Sequence, residues 1–250
     1  VGATIDVEII SVQEWLAGLA MVTDHYQKGR VVLAGDSVHL FTPSGGFGFN
    51  TGIDDAANIG WKLAAMVEGF GGENLIDSYE IERRPIGVRN TATSGQYADK
   101  IGSLQFPDFI EEDSGRGKAA RDVLRVDLAS LIVSDGSQPP PDDPAKYIPS
   151  ATPGGRLPHY WIGDKDSIFD LLGPWFNLLR IGPEAPESTA IEQVARDLNM
   201  PLNVVDVEKT AAQELYQAKL LLVRPDQHVA WRSNAVPEDI SAILGAIIGR

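Results

Sequence analysis

The stretch from Gly29 to Val67 constrains the fold more than any other. Arg30-Val31-Val32-Leu33-Ala34 is a short apolar run of strand-forming residues ending at Gly35-Asp36, the composition of a buried parallel strand. Pro43 follows, and then the run Ser44-Gly45-Gly46-Phe47-Gly48-Phe49-Asn50-Thr51-Gly52. Glycines at this density let a backbone press against a flat or charged ligand with no Cβ in the way. A helix is predicted next, with Thr51 and Asp54 in the spacing of a capping box and Ile53, Ala56, Gly60, Leu63 and Val67 along one face. Ligands of open α/β sheets bind at the carboxyl ends of strands, so Asp36 is a candidate acceptor for sugar or polyol hydroxyls. The free N–H groups of the helix start point back into the glycine run and favour negative charge on a ligand. For any single glycine, a plain chain turn explains the residue as well. The order of strand, Gly-Asp, Pro, glycine cluster and helix is the specific part.

Two nucleotide-binding signatures are absent. The run lacks the Gly-x-x-x-x-Gly-Lys-Ser/Thr of a P-loop, and Gly52 comes one position too late after Gly46-x-Gly48 for Gly-x-Gly-x-x-Gly. Composition narrows the chemistry further. The 250 residues hold no cysteine, which excludes disulfides, thiolate metal sites and dithiol redox chemistry. Lys+Arg 21 against Asp+Glu 35 gives a net charge of −14, which disfavours nucleic acids and anionic membrane surfaces as partners. The longest apolar run, Ile240 to Gly249, is about half of what spans a bilayer, and no secretion signal opens the chain, so a cytoplasmic location is expected. The four histidines, His25, His39, His159 and His228, are scattered, and no metal site is expected.

An α/β organisation in two parts is predicted. Residues 1–105 hold the strand, the glycine-rich loop and long helices. Residues 106–150 form a helical and Pro-rich linker with a helix over Ala119 to Val133, and a domain boundary falls near 145. Residues 151–250 read as strand Phe176 to Ile181, a helix through Ile191 to Leu198 capped by Ser188 or Thr189, strand Leu202 to Val207, strands Lys219 to Val223 and His228 to Arg232, and a closing helix Pro237 to Ile248. The order βαβ followed by ββα is that of a thioredoxin-like core, here without the cysteine pair. Trp161, Phe169, Trp175 and Phe176 are expected to be core. Glu82-Arg83-Arg84-Pro85 reads as a solvated face, with the arginines paired to Glu80 and Asp77.

Gly29 to His39, Pro43 and Gly45 to Ala56 together resemble the second flavin motif of the class A FAD-dependent aromatic hydroxylases. Asp226-Gln227-His228-Val229-Ala230-Trp231-Arg232 is similar to a hairpin of the thioredoxin-like C-terminal domain in their phenol hydroxylase-like branch. The resemblance covers nearly the whole chain and implies a partial FAD-binding domain followed by a thioredoxin-like domain. It implies that Asp36 binds the ribityl hydroxyls of FAD and that Pro43 lines the flavin ring. Gly45, Gly46 and Gly48 would approach the isoalloxazine, and the backbone of Phe49 and Asn50 would stabilise negative charge at flavin N1 and O2. It further implies NAD(P)H as reductant, a flavin C4a-hydroperoxide, an aromatic, phenolic or polycyclic substrate and no protein residue that must act as acid or base.

The family's Rossmann fingerprint, its middle Asp-Gly motif and most of its substrate sheet find no counterpart. Residues 1 to about 25, with Trp15 and Met21, look like the end of that sheet. The chain begins at Val1 and is expected to be the C-terminal half of a longer protein, inactive alone, with the N-terminal FAD-binding half as its partner and homo-oligomerisation left open. Two alternatives stand beside this reading. One is a non-enzymatic interaction or dimerisation module. The other is a GDSL-type esterase with Ser37 as nucleophile, for which Asp226-Gln227-His228 has one residue too few between acid and base.

Overall fold

The computed structural model describes residues 8, 10–12, 19–103 and 149–250. Trp15, the helix over Ala119 to Val133 and nearly all of the predicted linker lie outside these residues.

The first unit opens with four two-residue strands. β1 (Met21–Val22) pairs antiparallel with β4 (His39–Leu40), and β2 (Gln27–Lys28) pairs antiparallel with β3 (Val31–Val32). This corrects the parallel strand expected for Arg30 to Ala34. Only Gly29 and Arg30 separate β2 from β3, a loop length that joins antiparallel partners, whereas a parallel pair needs a crossover of a dozen or more residues. Val31 is exposed instead of buried.

Two long helices follow, α1 (Phe47–Val67) and α2 (Asp77–Ser103). α1 begins four residues before the predicted capping box. Its N-cap is Gly46 in the left-handed region, so Thr51 and Asp54 lie inside the helix and cap nothing. The buried side of α1 is a polar stripe at helical spacing, Thr51, Asp55, Asn58 and Lys62 before Ala65. The apolar stripe of an amphipathic helix ordinarily faces the core, yet Phe49, Ile53, Ala56, Gly60, Leu63 and Val67 all face outward, with Phe49 80% and Val67 86% exposed.

The second unit is a four-stranded sheet in the order β6-β5-β7-β8. β5 (Phe176–Ile181) runs parallel to β6 (Leu202–Val207) and antiparallel to β7 (Leu220–Val223), which pairs antiparallel with β8 (Val229–Ser233). α3 (Thr189–Asp197) makes the crossover and α5 (Ile240–Ile247) closes the unit. The expected thioredoxin-like order gains one element, α4 (Thr210–Tyr216), between β6 and β7. Ala212 and Tyr216 of α4 are buried, and Tyr216 donates its hydroxyl to the Pro158 carbonyl at 3.0 Å. Phe176 is core as expected, whereas Trp161 is exposed.

The units share one core. Trp61, Ala65, Phe70 and Leu75 pack with Phe176, Leu178, Ile191, Leu220, Leu222, Leu244 and Ile248. Trp61 meets Phe176 edge-on at 5.5 Å between ring centroids, and Phe70 meets Trp175 at 5.2 Å. Such pairs add about 0.5–1.5 kcal/mol each beyond the area they bury. The end of the chain closes over the α1–α2 connection, where Gly72 N–H donates to the Ile248 carbonyl at 2.6 Å and a Cβ at Gly72 would overlap the Gly249 carbonyl.

Candidate functional site

Gly35-Asp36-Ser37 forms a single 3-10 turn between β3 and β4, and Pro43 precedes a second one over Ser44–Gly46. Gly45 (φ +85°) and Gly46 (φ +68°) are left-handed, conformations that cost an L-residue about 1–2 kcal/mol. The two sides of this loop differ. Beneath it lies a row of rings in which His39 is 4.6 Å from Phe41, Phe41 6.5 Å from Phe47 and Phe47 6.0 Å from Tyr97. A Cβ on Gly45 would stand 2.6 Å from the Phe47 ring and 2.9 Å from Tyr97, while a Cβ on Gly46 would meet nothing within 4 Å. The loop therefore rests on aromatic rings and is open above.

α1 starts at that opening. Its N-cap has no side-chain hydrogen bond and its first turn carries no acidic residue. In a helix beginning at Phe47, the N–H groups of Gly48 and Phe49 have no intrahelical acceptor, and they carry the positive end of the helix dipole. The Asn50 side chain turns back to donate to the Gly46 carbonyl at 2.8 Å. Asp36 is exposed and makes no side-chain hydrogen bond among the described residues. A carboxylate free to accept hydroxyls, two left-handed glycines under open space and an uncapped helix start are what the ribityl and isoalloxazine parts of a flavin require. The residues present fit that group.

Asp55 holds these pieces together. It is fully buried; its Oδ2 accepts from His39 Nε2 at 2.6 Å and from the Gly35 N–H at 3.2 Å, and its Oδ1 accepts from Arg83 Nε at 2.7 Å. Burial alone would raise its pKa, but the hydrogen bonds of His39 and Arg83 and the guanidinium charge hold it below the usual carboxylate range. The Gly35 turn is thereby pinned to α1, and the Cα of Gly35 would lie 3.4 Å from a Cβ on Gly52. Tyr26 packs against His39 and Tyr79, and burial, aided by the Asp55 charge, pushes its phenol up to about 12.

This corrects the surface reading of Glu82-Arg83. Arg83 is buried and bonded to Asp55, while Glu80 instead accepts the Tyr26 and Gln27 N–H groups and Asp77 accepts from Gln27. Glu82 belongs to a second cluster at the junction of the units. It accepts from Lys62 Nζ at 3.0 Å, from Asn58 Nδ2 at 2.8 Å and from both Nη atoms of Arg224 at 3.0 and 2.8 Å. Arg224 also donates to Asp226, whose Oδ2 accepts from Trp61 Nε1 at 3.0 Å and Asn58 Nδ2 at 3.2 Å. Burial opposes the charge on Glu82, yet the Arg224 guanidinium, with Lys62 and Asn58, brings its pKa down to about 2. Burial lowers Lys62 to about 8 against the opposing pull of Glu82.

The sequence singled out Asp36, Pro43, Gly45, Gly46, Gly48, Phe49 and Asn50, and these line the two turns and the first turn of α1. It missed Asp55, Arg83, Phe41 and Tyr97. The signal for Asp55 was present: Thr51, Asp55, Asn58 and Lys62 repeat at helical spacing. No hydrogen bond joins Ser37 to a histidine among the described residues, since its hydroxyl is exchanged with the Ala34 backbone. Asp226, the acid that an esterase reading would use, is engaged by Arg224 and Trp61.

Comparison with known proteins gives the family. Residues 2–94 match the FAD binding domain model and residues 150–250 the model described as aromatic-ring hydroxylase, C-terminal. The chain belongs to the FAD-dependent aromatic-ring hydroxylases. It is 34% identical to the FAD-dependent monooxygenase opdD of Penicillium oxalicum, over 93% of this chain and 50% of that protein. It is 37% identical to the 4-methyl-5-nitrocatechol 5-monooxygenase of a Burkholderia species, over 96% of this chain and 46% of that one. Among solved structures, RebC with bound 7-carboxy-K252c superposes with a TM-score of 0.75 at 31% identity, covering 92% of this chain and 47% of RebC. The chain spans about half the length of the relatives it matches.

Proposed function

We propose that this chain supplies the ribityl and isoalloxazine side of the FAD site in a monooxygenase that hydroxylates a phenolic or polycyclic aromatic ring. The observation that carries the reading is the pairing of the unbonded Asp36 carboxylate with the uncapped start of α1 behind Gly45 and Gly46. FAD held by these residues would supply the redox chemistry, insertion of one atom of O2 into the ring with the other leaving as water at the expense of a nicotinamide nucleotide. The chain's residues do the holding. Asp36 accepts the ribityl hydroxyls, Pro43 flanks the ring system, and Gly45, Gly46 and Gly48 permit contact at backbone distance. The N–H groups at the start of α1 favour the negative charge of the reduced flavin at N1 and O2. Asp55 fixes the Asp36 turn relative to α1. The phenolic substrate class is supported by the nitrocatechol relative.

The outward stripe of α1 is where the nucleotide-binding half of the family's FAD domain would dock. Small residues at its centre, Ala56 and Gly60, allow close approach, and Phe49 and Ile53 extend the stripe to the flavin site. The test is a chimera joining this chain to the part of the Burkholderia relative that it does not cover. Aromatic-dependent oxidation of NADH or NADPH, with O2 uptake and a hydroxylated product, is expected. A flavin-loaded chimera that hydroxylates no phenol would overturn the reading.

A further inference from the structure

The Arg224-Pro225-Asp226-Gln227 turn belongs to the second unit, yet its two charged side chains point into the first. We infer that Asp226 is a positioning residue for the flavin-facing helix, an inference that rests on the flavin-site reading above. The turn acts as a clip across both long helices: Arg224 grips α2 through Glu82, and Asp226 grips α1 through Asn58 and Trp61.

Much of α1 is inverted in character. A helix with an apolar stripe in water gains by rotating that stripe inward. Here Phe49, Ile53, Leu63 and Val67 face out while Asp55, Asn58 and Lys62 face in. The buried apolar residues of α1 are Ile59, Trp61 and Ala65, so toward the glycine loop, where Thr51 and Asp55 are the buried residues, directional polar bonds must fix its rotation. Asn58 and Trp61 are three residues apart and so share a face. One carboxylate oxygen, Asp226 Oδ2, receives both, together with Arg224 Nη2 at 2.6 Å, and the Asp226 side chain is 1% exposed. An ionised acceptor roughly doubles the strength of such bonds.

The other polar bonds to α1 include those from α2, where Arg83 meets Asp55, Asn90 meets Thr51 and Glu82 meets Asn58 and Lys62, from the Gly35 turn, which meets Asp55, and from His39 of β4, which donates to Asp55 at 2.6 Å. α2 is itself held by Arg224. Rotating α1 about its axis would turn the Gly48 and Phe49 N–H groups away from the glycine loop, about 14 Å up the helix from Asn58 at 1.5 Å per residue. The second unit, which carries no cysteine chemistry, thus sets the aim of the flavin-facing helix.

The test uses the chain itself without flavin, so it stands apart from whether FAD binds. Amide exchange is followed residue by residue in wild type, Asp226→Asn and Trp61→Phe, with the exposed Asp206→Asn as control. The expected result is a roughly tenfold or greater loss of protection in residues 48–57 of α1 for Asp226→Asn, and a smaller loss in the same residues for Trp61→Phe. Strands β5 and β7 should keep their protection, and the control should match wild type. Unchanged exchange in residues 48–57 in either variant would overturn the inference. So would an equal loss across α1, β5 and β7, which is what general destabilisation produces. Should Asp226→Asn fail to fold, Trp61→Phe, which removes one N–H donor and keeps the ring, decides the question alone. Failure of the flavin reading would show separately, as a wild-type chimera that holds no FAD.

Discussion

Replacing Arg224 with Met puts the junction cluster under its most direct load. Arg224 makes two hydrogen bonds to Glu82 and two to Asp226, and its guanidinium lies 5.4 Å from the Trp61 ring centroid. Methionine keeps much of the aliphatic bulk and removes the charge. The buried Asp226 carboxylate then loses its guanidinium partner, and the partly exposed Glu82 is left with Lys62. Breaking a buried pair by deleting one partner costs about 3–5 kcal/mol, and in a chain of this size each kcal/mol moves Tm by about 2–4 °C. The two ranges multiply to a drop of about 6–20 °C at pH 7. Circular dichroism melts of wild type and Arg224→Met at low and high salt are the assay. Screening by salt acts on exposed charges, and Arg224 is largely buried, so the difference should persist in high salt. A variant melting within about 2 °C of wild type would refute the reasoning, as would a loss that vanishes in high salt.

Other outcomes follow from the same geometry. Glu82 ionises near 2 in the fold against an ordinary 4.5, so its contribution is complete above about pH 4.5 and lost as the pH falls toward 2; urea midpoints should decline over that window, less steeply in Glu82→Gln. Lys62 titrates near 8 instead of 10.5, so between these values the unfolded chain holds the extra proton and stability gains a rising contribution with pH, which Lys62→Met should abolish in the same urea series. Gly45→Ala must place a Cβ at φ +85° against Phe47 and Tyr97, and should lower stability by at least about 1–2 kcal/mol in urea unfolding. An unchanged midpoint would show that the loop relaxes freely.

The second unit was legible because its strands carry their own boundaries. Phe176–Ile181 and Leu202–Val207 are predicted and found with the same ends, each a compact β-rich run followed or preceded by Pro, Gly or Asn. α4 escaped notice because two turns are too short for a periodic signal, and its N-cap, Lys209, makes no side-chain bond. In the first unit the periodicity of α1 was read correctly as an apolar stripe, but periodicity does not say which stripe is covered. The polar stripe won because α2 and the Arg224–Asp226 turn offer it partners, Arg83, Glu82, Asn90 and Asp226. Those partners lie up to 168 residues away in sequence, and no local pattern reports such pairings. The helix start was misplaced for a local reason. Thr51 and Asp54 match a capping box, but Gly46 in the left-handed region ends the loop earlier and lets Phe47 begin the helix.

As proposed above, this chain carries one side of a flavin site and needs the nucleotide-binding half for the other. The visible absorption spectrum after incubation with FAD and desalting tests it most directly, on the chain alone, on the chimera and on the chimera with Asp36→Ala. The account predicts a colourless chain, a chimera with both flavin bands and a marked loss of those bands in the Asp36→Ala chimera. A chain that holds FAD by itself would contradict the half-site claim, and a folded chimera without flavin, or one indifferent to Asp36, would contradict the site.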